Sequence, residues 1–325
     1  MDLARGFAHY EGILVTPVQI LCSAALPRWL YASLATRFPA RFPPVYKFVA
    51  RKTATEINDA ALAWIDQAGD RPFLAFLNYF DAHDPYRPIA PFDTMFASPA
   101  YPDRPPPIHA GADREGAPRA MRPYDQAIRY IDAEVGRLLA ALSTRNRLKE
   151  TLVIITADHG EEFGEHVAYG HGHSLYLQGL QVGLVLVLPE HIPAGTIVRA
   201  PVSLRDVAPT VLDLVDRTAS SPFPGRSLAR FWLGDSLTSD TLLFETRRAR
   251  NRPSGDPTAT GDLQGALAGG LHFMRGADRR PQLYDIDTDP HELHDLASAP
   301  GNRAAVLQFQ DLLDRANRGG SHASP

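Results

Sequence analysis

Apolar residues recur at helical spacing over residues 52–68, at Ile57, Ala61, Leu62 and Ile65 with Trp64 alongside, and Gly69 marks the end of this predicted helix. Residues 73–79 (Phe-Leu-Ala-Phe-Leu-Asn-Tyr) form a continuous apolar run of strand length. The clearest stripe in the chain is Ile128, Ile131, Val135, Leu138, Leu139 and Leu142, with Arg129, Asp132, Glu134 and Arg137 off it. It predicts an amphipathic helix leading into a second strand at 151–156, in parallel pairing with the first through a right-handed crossover. A third apolar run, residues 182–188, suits a central parallel strand. Ser203-Leu-Arg-Asp206 resembles a capping box, with Asp in place of the usual Glu or Gln, opening a helix through Val215.

Beyond Ser220 the pattern breaks into short pieces punctuated by Gly and Pro, at 242–245, 271–274 and 282–285, which predict a small antiparallel sheet. A terminal helix over 304–316 and a disordered tail follow. Residues 85–123 are proline-rich and aperiodic, a long surface excursion. Residues 13–38 read as a helix pair or a buried hairpin, with an interfacial surface as the lesser alternative. The fold class that emerges is α/β, a mostly parallel central sheet flanked by helices with a small C-terminal antiparallel subdomain. Its boundaries are expected at 1–219 and 220–325.

Composition narrows the field modestly. With 325 residues, a net charge of -4 and 22% charged residues, the chain has an ordinary balance and ample length for a core. Basic residues are scattered, so nothing points to nucleic acid. The single Cys22 excludes an intramolecular disulfide framework, and its apolar neighbours suit a small core residue better than a nucleophile. No apolar run reaches the length of a membrane span, and the opening residues lack the form of a signal peptide, so the chain as it stands reads as cytoplasmic. Composition says nothing of oligomeric state.

Candidate chemistry concentrates where the second strand ends, at Asp158-His159-Gly160, because ligands of open α/β sheets bind beyond the carboxyl ends of the strands. Adjacent residues of a regular strand face opposite sides, so Asp158 and His159 can share one cation only if the chain turns, which Gly160 permits. The carboxylate suits calcium or magnesium and the imidazole suits zinc or manganese. The bland alternative is a turn that merely closes a strand. His83 follows the first predicted strand in a corresponding place, able to bind an anionic group or protonate a leaving oxygen, or else to satisfy loop backbone. His171 and His173 flank Gly172 on a loop that can reach a ligand. His166 reads as a solvated loop residue, and Glu161, Glu162 and Glu165 as solvated faces or caps. Since His83 and Asp158 end strands expected to be near neighbours, His83, Asp158, His159 and His171 are expected to line one cleft.

Five blocks, in order, carry a family resemblance. They are Leu3-Ala-Arg-Gly-Phe7-Ala-His-Tyr10; Pro72-Phe-Leu-Ala-Phe-Leu-Asn-Tyr-Phe-Asp-Ala-His83-Asp-Pro-Tyr86; Tyr124-Asp-Gln-Ala-Ile-Arg-Tyr-Ile-Asp132; Ala157-Asp-His-Gly160 through Gly170-His-Gly-His-Ser-Leu-Tyr176; and Leu283-Tyr-Asp-Ile-Asp-Thr-Asp-Pro290. Together they resemble the sulfatases of the alkaline phosphatase superfamily over nearly the whole chain. The resemblance implies hydrolysis of sulfate esters, small-molecule or glycan, through one divalent metal, usually calcium, with manganese or zinc as alternatives. It matches Asp158 and His159 to the second pair of metal ligands, where many members have Asn at the latter position. It matches His83 to the histidine that contacts the sulfate and the leaving group. His171 or His173 falls near a substrate-binding lysine of many members, and no lysine stands there in this chain.

A second departure is larger. The family's first pair of acidic ligands, and the Cys or Ser that becomes formylglycine in a Cys-x-Pro-x-Arg motif, lie upstream of the Gly-Phe block, which here begins at Gly6. The motif does not occur in these 325 residues, so formylglycine is not encoded. The chain therefore resembles a truncated sulfatase with half of a metal site, expected to bind metal weakly and to be weakly active or inactive alone. Two other readings stand beside it. One is a phosphate or phosphonate ester hydrolase, or a phosphoethanolamine transferase, of the same superfamily, which use Asp-His with zinc or manganese. The other is a non-catalytic fragment or binding protein.

Overall fold

This computed structural model describes residues 7–11, 29–30, 33–34, 37, 51–86, 89–96, 121–166, 169–217, 222–233, 240–249 and 256–320. The expectations for Cys22, for the rest of 13–38, for most of the excursion at 85–123 and for the tail after residue 320 lie outside the described residues. The described chain divides into two compact units, one ending at Arg147 and the other beginning at Leu148. The boundary expected at 219/220 falls inside the second unit. No helix among the described residues is long and apolar enough to cross a membrane.

The first unit is built on helices α1 (Ala54–Ala68) and α2 (Met121–Thr144). Thr53-Ala-Thr-Glu56 starts α1 as a capping box, with Glu56 Oε2 accepting from the Thr53 N–H at 2.7 Å. Gly69, at φ 58°, ends the helix as the pattern predicts. The predicted stripe of α2 is not its most buried face. Of the stripe only Leu142 is buried and Ile128 is 41% exposed, whereas Gln126, Ala127 and Tyr130, off the stripe, are buried. The reason is polar pairing between the helices. The buried Asn58 donates to the Glu134 carbonyl (2.8 Å) and carboxylate (3.0 Å) and accepts from the Tyr79 hydroxyl (2.6 Å). The Tyr130 hydroxyl accepts the Thr55 N–H at 3.0 Å. A fully satisfied buried network fixes helix rotation more narrowly than apolar area alone.

Residues 73–79 do not form a strand. No ladder includes them, and Leu74 and Phe76 are 74% and 77% exposed. An apolar run favours extended chain, but only a neighbouring strand makes it a sheet, and none pairs with it among the described residues.

In the second unit, β1 (Val153–Thr156) pairs with β4 (Leu184–Val187), and the ladder is antiparallel, running from Val153↔Val187 to Thr156↔Leu184. This corrects the parallel direction expected of both runs. An unbroken apolar run reports burial and not strand direction. A parallel return needs a crossover of a dozen residues or more, usually helical. Among its described residues the intervening chain holds the two-residue strands β2 (Glu162–Phe163) and β3 (Tyr169–Gly170) and one helical turn, α3 (Leu177–Leu180), and no crossover helix. It returns antiparallel. Ile155, Val185 and Val187 remain 37–50% exposed on this pair. Ser203 and Asp206 form the expected capping box before α4 (Val207–Leu214).

The C-terminal antiparallel sheet is present with four strands, in the order β5 (Leu242–Thr246), β6 (Leu263–Ala268), β7 (Leu271–Arg275) and β8 (Pro281–Asp285). The periodicity did not reveal β6, whose Leu-Gln-Gly-Ala-Leu-Ala lacks β-branched residues, although Gly269-Gly270 makes the tight hairpin to β7 with φ 57° and 77°. Helix α5 (Arg303–Gly320) covers this sheet. Ala266, Phe273 and Leu283 pack on Val306, Phe309 and Leu313, and the Phe273 and Phe309 rings stack at 5.5 Å.

Candidate functional site

The chain turns directly after β1. The Gly160 N–H donates to the Gly179 carbonyl at 2.9 Å, and a Cβ at position 160 would overlap the Gln178 carbonyl oxygen. Only glycine fits that approach. The turn undoes the opposite facing that a regular strand would impose. Asp158 Oδ1 accepts the His159 N–H at 3.2 Å and stands 3.7 Å from His159 Nε2, and the Asp158 side chain is 91% exposed. His159 Nδ1 is 2.8 Å from the Gly160 carbonyl, and since a carbonyl only accepts, Nδ1 carries the proton. In the neutral ring the Nε2 lone pair then lies beside the carboxylate.

That arrangement fits two positions around a divalent cation, because ligand distances of roughly 2.0–2.5 Å let one ion span 3.7 Å. Among the described residues no group of three or more His, Cys, Asp or Glu side chains is arranged to hold a metal. Asp158 Oδ1 and His159 Nε2 are two donor atoms of the kind a divalent cation takes.

His171 joins this pair. Its ring stacks on His159 at 3.8 Å between centroids and 24° between planes, and its Nδ1 lies 3.1 Å from Glu161 Oε1. His173 turns elsewhere, its Nδ1 3.2 Å from Asp256 Oδ2. Gly172 between them, at φ 74°, allows the two histidines to take different partners.

Three side chains depart from the sequence reading. His166 is not solvated: it is buried, with its ring flat on Tyr176 at 3.6 Å and 5°. The Glu161 carboxylate is 5% exposed and holds His171. Glu162 is buried, accepts from the Ser174 hydroxyl at 2.5 Å, and has its pKa pushed up to about 7. Burial is the main cause, the Ser174 bond opposes it, and the neighbouring Glu165, Glu161 and Glu292 carboxylates add to it. Charged residues in a loop read as solvent-facing, and only their tertiary partners reveal otherwise. Glu165 does act as a local cap, accepting the Phe163 N–H at 2.6 Å.

His83 belongs to the first unit. Its Nδ1 lies 2.7 Å from the Asp84 carbonyl and its ring stacks on Phe80 at 5.1 Å. Arg51, which the sequence did not single out, braces this turn by donating to the carbonyls of His83 (2.8 Å) and Asp84 (2.6 Å). It sets a guanidinium beside the histidine. Burial raises the pKa of the nearby Asp81 carboxyl.

The Sulfatase family model matches residues 34–217. The multifunctional alkaline phosphatase superfamily protein PehA of Trinickia caryophylli is 26% identical, over 85% of this chain and 60% of its own length. The steryl-sulfatase of Mus musculus is 29% identical, over 88% of this chain and 47% of its own length. Among solved structures, the phosphonate monoester hydrolase of Agrobacterium radiobacter superposes with a TM-score of 0.67 at 19% identity, covering 90% of this chain and 69% of that one. It shares the fold. The chain thus spans about half to three-fifths of the length of these curated relatives.

Proposed function

This chain belongs to the sulfatase family, and on that footing we propose that it carries part of a metal-dependent hydrolytic site for sulfate esters, small-molecule or glycan. The observation that carries the reading is the 3.7 Å approach of Asp158 Oδ1 to His159 Nε2, with His171 stacked against the latter ring. Asp158 and His159 would hold one divalent cation, calcium by family resemblance. When bound, such an ion neutralises charge on the transferring group as a Lewis acid. The chain's own residues do the rest of what it encodes. The Gly160 carbonyl keeps the His159 proton on Nδ1 and so presents Nε2 outward. The Glu161 carboxylate orients His171, whose ring would meet the ester's anionic oxygens. His83, by resemblance, would contact the sulfate and protonate the leaving oxygen. The formylglycine nucleophile is not among these residues, so turnover by the chain alone is expected to be slight.

A second reading has its own support. An imidazole beside the carboxylate favours manganese or zinc over calcium, which suits a phosphate or phosphonate ester hydrolase. Titration calorimetry with calcium, manganese and zinc separates the two. Weak binding, in the millimolar range, that vanishes in both Asp158→Ala and His159→Ala supports the site, and the preferred ion chooses between readings. Affinity unchanged by either substitution refutes it.

A further inference from the structure

We propose that Glu292 is a positioning residue that holds the Asp158–His171 segment in its working geometry from the far end of the chain. Glu292 is 1% exposed and adopts φ 56°, a backbone conformation that a non-glycine residue takes up at a cost. Its two carboxylate oxygens have separate partners. Oε1 lies 2.5 Å from His272 Nδ1 on β7, with neither side chain exposed. Oε2 accepts the Leu177 N–H at 2.7 Å across 115 residues of sequence.

Leu177 opens α3, and the Gly179 carbonyl of that same turn receives the Gly160 N–H. Gly160 is the residue whose carbonyl fixes the proton on His159. A continuous path therefore runs from β7 through His272, Glu292 and Leu177 to Gly160 and the His159 ring. The other nitrogen of His272, Nε2, is buried without a hydrogen-bond partner among the described residues, so the Glu292 bond is what satisfies this ring. A buried, strained, two-sided carboxylate is costly, and packing of the C-terminal sheet does not need it, since that core is apolar. What the carboxylate does supply is a fixed acceptor for the first turn of α3. A second, part-buried bond joins the same parts, from Gln282 to the Tyr176 hydroxyl at 3.1 Å, and Leu175 packs on Met274 and Tyr284, but neither contact supplies an acceptor to the Leu177 N–H. The functional meaning of this tether rests on the reading of Asp158 and His159 as cation ligands, but its test uses metal-free protein.

Hydrogen exchange and histidine NMR on the full chain decide it. In the unmodified protein the Leu177 and Gly160 amides are expected to exchange as one unit, within about threefold of each other. Rates more than tenfold apart overturn the proposal without recourse to a variant. In Glu292→Ala, both amides are expected to exchange at least tenfold faster, and the His159 and His171 ring signals to lose their stacking shifts, while Phe273 on β7 keeps its protection. Glu292→Gln retains an oxygen for the Leu177 N–H and should preserve those ring shifts. Ring signals and Leu177 protection unchanged in Glu292→Ala overturn the proposal. So does loss of Phe273 protection in step with Leu177 in both variants, which assigns Glu292 to sheet stability alone.

Discussion

Glu162 makes a stability prediction whose sign can be worked out in full. In the unfolded chain its carboxyl titrates near the ordinary 4.5, and in the folded chain near 7, mainly through burial. Below about pH 4.5 both states carry the proton and the residue costs nothing. Between 4.5 and 7 the unfolded chain releases a proton that the folded chain keeps, so stability falls as pH rises. Above 7 both states are ionised and the whole cost is in place. At 1.36 kcal/mol per pKa unit this cost is roughly 3 kcal/mol, an upper figure because the fold can relax around the charge. Glu162→Gln removes the ionisation and keeps an oxygen for the Ser174 hydroxyl. Urea denaturation of both proteins at pH 5, 6, 7 and 8 should show the variant gaining on the parent by about 2–3 kcal/mol across that range. Titrating groups away from Glu162 cancel in the difference, leaving only Glu162 and the carboxylates coupled to it. A difference that stays flat from pH 5 to 8, or a Glu162 carboxyl carbon that titrates near 4.5 by NMR, would refute the argument.

Two further outcomes follow from packing. Gly160→Ala should destabilise the second unit by about 2 kcal/mol or more, because its Cβ meets backbone that cannot move aside; denaturant midpoints measure it, and a loss under about 0.5 kcal/mol contradicts the close approach. Leu74→Ser with Phe76→Ser should leave the stability of the described fold within about 0.5 kcal/mol, since both side chains are exposed; a core-sized loss of about 3 kcal/mol on thermal melting would mean that they are buried in solution.

Much of the architecture was readable in the sequence, and the failures share a cause. The Gly69 end of α1, the Ser203 cap, the C-terminal antiparallel sheet and α5 are written in local chemistry: caps, punctuation and period. The turn at Asp158, His159 and Gly160 was readable because glycine permits a sharp change of direction after an apolar run. The direction of β1 against β4 was not readable, since both runs are apolar whichever way they pair. The rotation of α2 was hidden because Asn58, Tyr79 and Glu134, polar residues far apart in sequence, decide it. The buried state of Glu161, Glu162 and His166 was hidden for the same reason, as each is made tolerable by a partner that no spacing rule connects to it. The Glu292 tether was hidden likewise: the Asp158–Tyr176 and Leu283–Pro290 blocks stand out in the sequence, but no spacing rule joins Glu292 to Leu177 across 115 residues.

The bond from Gly160 to Gly179 closes residues 160–179 into a ring of chain with a narrow neck. Closure entropy grows only logarithmically with loop length, by about 0.6 kcal/mol per doubling, so the ring can lengthen cheaply at its outer end. Its neck cannot accept even one methyl group at Gly160. Tolerance to change is thereby sorted by position: added residues near the β2–β3 tip cost little and alter what surrounds His171, while a side chain at Gly160 disrupts the turn that brings Asp158 beside His159. The rim of this ring and its neck therefore answer to different constraints, one a matter of chain entropy and the other of steric fit.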